Sequence, residues 1–291
     1  MSLLHAIQKL PLGVQYSLGR TLSLLMRVAH YRKKVVVGNL SAAFPQWSKK
    51  ELRKNRKKFY SNFGRVYAEA LWLGGCRGKK EKFFAKRLFT IEGQEDLYAA
   101  FDKGGVMILD SHCGNWELTG AFLQGTVDAP GANFTEADVA VVYRRLHSPK
   151  WDKAMRDIRC ALQSKDFEGY IESQDIMRYA LRHKDSKKIY LFPNDQYPYG
   201  ASKSRENITF MNRETKAMDG AVVLASKLKL SVFYMNKDRL PDGKYKVSYS
   251  KICDDASAHQ PEEIIKDYYT RLEADIRKNP SNYLWSHKRW K

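Results

Sequence analysis

Gly105-Val106-Met107-Ile108-Leu109-Asp110-Ser111-His112-Cys113-Gly114-Asn115-Trp116-Glu117 decides the reading of this 291-residue chain. The apolar run 105–109 has the length of a buried strand and ends at Asp110. Gly114-Asn115 suits a turn, and Glu117-Leu118-Thr119-Gly120-Ala121-Phe122-Leu123 reads as helix. His112 and Glu117 stand five positions apart. On one continuous helix that step turns about 500° and points the two side chains roughly 140° apart. They face each other only with His112 ahead of the helix and Glu117 in its first turn, which the strand–turn–helix pattern predicts. A carboxylate on one imidazole nitrogen fixes the tautomer and raises the basicity of the ring, as general-base chemistry on a hydroxyl requires. A plain solvated or hydrogen-bonded pair has the same spacing, so the surrounding chain has to carry the choice.

Outward from that stretch, residues 88–93, 139–143, 188–192 and 231–235 also read as strands. Helical patterns at about 97–101, 149–160, 173–182 and 217–228 lie between them. A hairpin centres on Asp242-Gly243. The alternation predicts an α/β fold: a single domain with a mostly parallel central sheet flanked by helices. Sites in such sheets gather at the carboxyl ends of the strands. His112, Arg144 and Asp195 each follow a predicted strand. Residues 35–75 read as mainly helical, with Ser48 and Glu51 forming a capping box and Gly74-Gly75 as the stop. Pro261-Glu262-Glu263 opens a last long helix that ends before Asn279-Pro280.

With 43% apolar and 29% charged residues, the composition excludes a disordered chain. Cys76, Cys113, Cys160 and Cys253 have neither metal-ligand nor disulfide-framework spacing, which points to a reducing compartment. Cys113 as a nucleophile is disfavoured because its neighbour His112 projects elsewhere. The histidines and acids also lack ligand spacing, so no metal and no cofactor is expected. The net charge is +19, and residues 1–58 hold thirteen Lys or Arg against the single acid Glu51. That excess implies a polyanionic partner: nucleic acid, an anionic membrane face or an acidic carrier protein. No helix-turn-helix, zinc-finger or ribonucleoprotein motif accompanies it, which argues against nucleic acid. The start of the chain lacks a signal-peptide pattern and an unbroken spanning run. Residues 14–31 are amphipathic instead, with Val14, Leu18, Leu22, Leu25 and Ala29 on one face and Arg20, Ser23, Arg27 and His30 on another. Tyr31-Arg32-Lys33-Lys34 follows. The expectation is a basic membrane-associating segment over 1–34 and an α/β catalytic domain over 35–291. An ordinary surface helix packed on the domain has the same pattern.

Several blocks occur in order: Tyr31-Arg32-Lys33-Lys34-Val35-Val36-Val37-Gly38-Asn39-Leu40 with Phe44-Pro45, then His112-Cys113-Gly114-Asn115-Trp116-Glu117-Leu118. Val142-Tyr143-Arg144 with Arg159, Asn194-Asp195-Gln196 and Leu284-Trp285-Ser286-His287-Lys288-Arg289-Trp290-Lys291 complete them. Over nearly its whole length the chain thus resembles the late acyltransferases of lipid A biosynthesis, the lauroyl/myristoyl transferases. These lie within the wider H-x-x-x-x-(D/E) glycerolipid acyltransferase group. The resemblance implies a glycerolipid acyltransferase-like fold. It also implies transfer of an acyl chain from an acyl-carrier protein or acyl-CoA thioester to a hydroxyl of a lipid A precursor, at the cytoplasmic face of the inner membrane. Another polar lipid acceptor would use the same chemistry. His112 would be the general base and Glu117 its orienting acid, with no acyl-enzyme. Backbone amides around Gly114, or an arginine, would hold the oxyanion. Arg144, Arg145 and Arg159 are candidates for phosphate contacts, and Arg144, Arg159, Asp195, Gly114 and Asn115 form the expected substrate-binding set. An ion pair of Arg159 with Asp195 would brace the site instead, and Asn115 and Trp116 suit support of the turn more than contact. The closing Trp285, His287, Arg289 and Trp290 fit a membrane interface or a folded terminal strand. Two departures stand out: Phe210-Met211-Asn212 replaces a Phe-Phe-Gly turn, and Ala217-Met218-Asp219-Gly220 keeps a turn Gly without its Pro.

Overall fold

The computed structural model describes residues 2–198 and 207–290. Met1, which begins the expected membrane segment, and Lys291, which ends the closing block, lie outside the described residues. Four helices come first: α1 (Ser2–Gln8), α2 (Leu12–Val28), α3 (Lys33–Ala43) and α4 (Lys49–Gly74). The capping box predicted for α4 is formed. Glu51 N–H donates to Ser48 Oγ, and the Ser48 amide donates back to Glu51 Oε2 at 2.8 Å, an arrangement worth about 1 kcal/mol.

The alternating part runs α5 (Lys80–Phe84), β1 (Phe89–Glu92), α6 (Gln94–Lys103), β2 (Val106–Asp110), α7 (Thr119–Val127), β3 (Val139–Tyr143), α8 (Pro149–Arg159), β4 (Tyr170–Glu172), α9 (Ile176–Arg182) and β5 (Ile189–Pro193). It continues with β6 (Asn207–Phe210), β7 (Arg213–Lys216), α10 (Gly220–Lys227), β8 (Ser231–Arg239), β9 (Tyr245–Cys253) and α11 (Pro261–Lys278). One seven-stranded sheet has the order β1-β9-β8-β2-β5-β3-β4. Every neighbouring pair is parallel except β8 with β9, the hairpin predicted at Asp242-Gly243, where Gly243 takes φ +85°. The α/β reading with a mostly parallel sheet therefore holds.

All five residues of β2 are buried, as a central parallel strand covered on both faces must be. Met107 and Leu109 pack with α10 and α11, whereas Val106 and Ile108 pack with α6 and α7. The elements not legible beforehand include α1, α5, β4, the β6–β7 hairpin and a short 3-10 turn at Trp116–Leu118 that precedes α7. The hairpin turn explains one sequence departure. Met211 and Asn212 both adopt positive φ, +52° and +63°, as a two-residue turn between paired strands demands. Asn bears that conformation more easily than most residues, and the Met211 backbone N–H donates a hydrogen bond to Glu273 Oε2 at 2.8 Å.

The closing block is folded into the core. Tyr283 bridges to Cys113, and Trp285 and Arg289 are buried. Asn39 donates to the carbonyls of Trp285 and His287, both at 2.9 Å.

Candidate active site

β2 and β5 are neighbours in register, with Asp110 opposite Pro193. Two residues beyond that pair on each strand come His112 and Asp195, so the register delivers both to the same point at the carboxyl edge of the sheet. His112 Nδ1 lies 2.7 Å from Asp195 Oδ1, and Gln196 Nε2 lies 3.1 Å from His112 Nε2. The Trp116 ring sits beside the imidazole at 5.7 Å between centroids. Burial pushes the Asp195 carboxyl up, but the His112 charge and hydrogen bonds outweigh it and hold the group down to about 2. An acid bonded to Nδ1 selects the Nδ1–H tautomer and leaves the Nε2 lone pair directed away from it.

Glu117, expected on the imidazole, is placed differently. Its oxygens accept from Arg159 Nε at 2.6 Å, Arg159 Nη2 at 3.1 Å and Trp116 Nε1 at 3.0 Å. The reason is local. From the middle of the 3-10 turn the Glu117 side chain meets the last turn of α8, where Arg159 stands. Burial again opposes ionisation of Glu117, and Arg159 first, with His112 contributing, lowers its pKa. Arg159 also donates to Tyr170 Oη at 2.9 Å. The bracing role considered for Arg159 exists, but its partner is Glu117 and not Asp195.

The other expected residues separate. Arg144 lines the cavity beside His112, together with Arg145, which pairs with Glu172 at 2.7 Å. Gly114 has φ +67° and packs so tightly on the Lys237 carbonyl that a Cβ would overlap it, a position only Gly fills without strain. Its amide donates to Asn282 O at 2.9 Å, so the expected oxyanion donor at Gly114 is already committed. Asn115 is fully buried and bonds Glu69 Oε2 at 2.8 Å; its oxygen accepts the Glu117 amide at 3.1 Å. It holds the turn. Beneath the turn, buried Lys237 bonds Asp110 Oδ1 and, at 2.8 Å, the Ser111 carbonyl. Cys113 is buried, and that burial pushes its thiol well above the ordinary range, which disfavours the thiolate form.

His112, Trp116, Arg144, Arg159 and Gln196 face a cavity of about 1010 Å³, at the upper end of the range for small-molecule pockets. Its walls are largely apolar, including Leu123, Val139, Val142, Leu191, Ile176 and Leu224. Val139 and Leu191 belong to the face covered by α7, whereas Val142, Ile176 and Leu224 belong to the opposite face. The cavity lining thus draws on residues from both faces of the sheet. Gln196 and Tyr170 are site residues that sequence reasoning quoted without a role or overlooked. Gln196 was within reach, standing next to Asp195 after a predicted strand; Tyr170 lies in a strand too short to signal itself.

The sequence model of the family described as bacterial lipid A biosynthesis acyltransferase matches residues 1–291. No curated protein matches the chain.

Proposed function

The chain belongs to the bacterial lipid A biosynthesis acyltransferase family and is an O-acyltransferase of lipid A synthesis, with a lipid acceptor and an acyl donor; we propose that His112 is its general base. The observation that carries this reading is the imidazole tied at Nδ1 to Asp195, in the lining of a large apolar cavity where Gln196 alone among the described side chains bonds Nε2. A hydroxyl of the lipid A precursor approaches Nε2, gives up its proton there and attacks the carbonyl carbon of the thioester. The new C–O bond forms as the carbonyl pair moves to oxygen. The tetrahedral intermediate then collapses, the C–S bond breaks, and the thiolate leaves with the proton returned by His112. Asp195 keeps the proton on Nδ1 and stabilises the imidazolium, as the acid does in other hydroxyl-activating triads. Glu117 adds negative charge near the ring and, through Arg159, locks the first turn of the helical segment.

Gln196, whose Nε2 lies 3.1 Å from His112 Nε2, yields that place to the reacting hydroxyl and is then the candidate donor to the oxyanion. Arg144 and Arg145, exposed residues of the cavity lining, suit phosphate, either on the lipid or on the phosphopantetheine shared by acyl-carrier protein and CoA. The donor is such a thioester. Membrane association at the cytoplasmic face of the inner membrane rests on α2. Gln15, Gly19, Ser23 and Met26 of this helix are its buried residues, and Val14, Leu18, Leu22 and Leu25 face outward with Leu25 59% exposed. An apolar stripe turned to solvent beside a basic segment suits insertion between anionic headgroups. Among the described residues no helix is long and apolar enough to cross a membrane.

The test is a reaction of purified full-length protein with acyl-carrier-protein thioester and an underacylated lipid A precursor, read by mass spectrometry. Wild type adds one acyl mass and His112→Ala does not; product at the wild-type rate from His112→Ala overturns the reading.

A further inference from the structure

Glu69 is a fully buried acid on an otherwise apolar stretch of α4, and its carboxylate is surrounded by four donors from four separate places. Oε1 accepts from Tyr16 Oη of α2 at 3.0 Å and from Arg65 Nε at 2.6 Å. Oε2 accepts from Asn115 Nδ2 of the catalytic turn at 2.8 Å and from Tyr245 Oη of β9 at 2.7 Å. Arg65 closes the loop by donating to Tyr16 Oη at 2.9 Å and stacking over the Tyr16 ring at 4.4 Å. Asn115 in turn accepts the Glu117 amide. An unbroken hydrogen-bonded chain therefore leads from α2 through Glu69 to the segment that carries His112 and Glu117.

The α2 helix is seated on α4 by backbone contact. A methyl group at Gly19 would lie 2.6 Å from the Gly64 carbonyl oxygen, and one at Gly64 would overlap Gly19. Small residues at such a crossing let two helices approach closely and fix their register. The register matters because Tyr16 lies three residues, just under one turn, before Gly19. The inner face of α2 thus holds the Glu69 network while its outer face offers leucines to the surroundings.

We propose that Glu69 is a positioning residue through which seated α2 holds the Gly114–Glu117 turn in its working geometry, so that the N-terminal helix is part of the catalytic assembly as well as an attachment. The inference rests on His112 acting as the base. A carboxylate can accept all four hydrogen bonds, whereas a carboxamide must turn a donor toward one of the donors already there. A displacement of about 1 Å at a reacting centre costs up to roughly 100-fold in rate.

The experiment uses full-length protein with detergent-dispersed acceptor, in four variants: Glu69→Gln, Tyr16→Phe, Gly19→Leu and His112→Ala. Thermal melting and vesicle flotation are measured beside kcat and KM, and rates are taken below each variant's melting transition. For Glu69→Gln we expect kcat to fall at least about 10-fold with KM little changed. Tyr16→Phe falls less. Gly19→Leu lowers kcat while flotation persists, because its outer leucines are intact. Wild-type kcat in both Glu69→Gln and Gly19→Leu overturns the proposal, as does a loss confined to KM or to flotation. His112→Ala separates the two readings: if it stays active, the base assignment has failed, and if it is inactive while Glu69→Gln is fully active, only the positioning role has failed.

Discussion

Asp195 Oδ1 lies 2.7 Å from His112 Nδ1 across 83 residues of sequence, because β2 and β5 pair in a register that ends them together. Asp195→Asn keeps the shape but removes the acceptor that selects the Nδ1–H tautomer. In other hydroxyl-activating triads the same change costs about 10⁴-fold in kcat, and a loss of at least about 10³-fold with KM within a few-fold is expected here. Steady-state kinetics decide it. A rate within tenfold of wild type would remove Asp195 from the mechanism.

Arg159 and Glu117 stabilise the fold as a pair. Arg159→Met leaves the Glu117 carboxylate buried without its main partner, a change that costs about 3 kcal/mol or more. Glu117→Gln combined with Arg159→Met loses less than the sum of the two single changes, with a coupling of about 1–3 kcal/mol. Urea unfolding of the two single variants and the double measures this, and simple additivity contradicts it.

Stability depends on pH through His287 before it depends on Asp195. Burial, outweighing the pull of Asp195, holds the His287 imidazole down to about 4 from its ordinary 6.5. Between those values the unfolded chain binds a proton that the native state refuses. His287's contribution is therefore full above pH 6.5 and declines as pH falls toward 4. Asp195, held at about 2 instead of 3.8, gives up its contribution only between about pH 4 and 2. The melting temperature of wild type should drop from pH 7 to 4.5, and His287→Gln should flatten that slope. An equal slope in the variant assigns the effect elsewhere.

Cys113 stands inside the motif with its side chain buried. With its thiol buried and pushed well above the ordinary range, native protein should resist alkylation at this site by iodoacetamide at pH 8. Cys113→Ala should keep its activity and the same product mass. A labelled Cys113 peptide, or an inactive but folded Cys113→Ala, would count against this.

The outer face of α2 should govern membrane binding. Each leucine leaving water contributes about 2 kcal/mol, so Leu18→Asp with Leu25→Asp should lower partitioning onto anionic vesicles at least about 100-fold. Their exposure, 42% and 59%, means the fold should tolerate the change. Sedimentation with vesicles at low and high salt reads out both the apolar and the charge contributions. Unchanged sedimentation would exclude this face.

Local pattern revealed what local physics controls. The apolar run before His112 read as a buried strand, Ser48 with Glu51 as a helix start, and Asp242-Gly243 as a hairpin, since each rests on residues a few positions apart. Glu69 carried no such local signal, because its partners Tyr16, Asn115 and Tyr245 come from distant parts of the chain. β4 escaped because three residues carry no period, and β6–β7 because its turn uses Met and Asn in place of Gly.

The sequence by itself determined the α/β class, the strand end that presents His112 and the family's ordered blocks. Only the tertiary structure decided which acid meets the imidazole. Spacing along the chain favoured Glu117, five residues away, but partners are chosen by which strands pair and in what register. The β2–β5 register brings Asp195 to Nδ1, while the 3-10 turn carries Glu117 to Arg159 at the end of α8. The same reason applies to α2, whose apolar stripe was legible at once. That the stripe faces outward, with Gly19 and Tyr16 turned inward onto α4 and Glu69, followed from a backbone contact with Gly64 that no periodicity in α2 could announce.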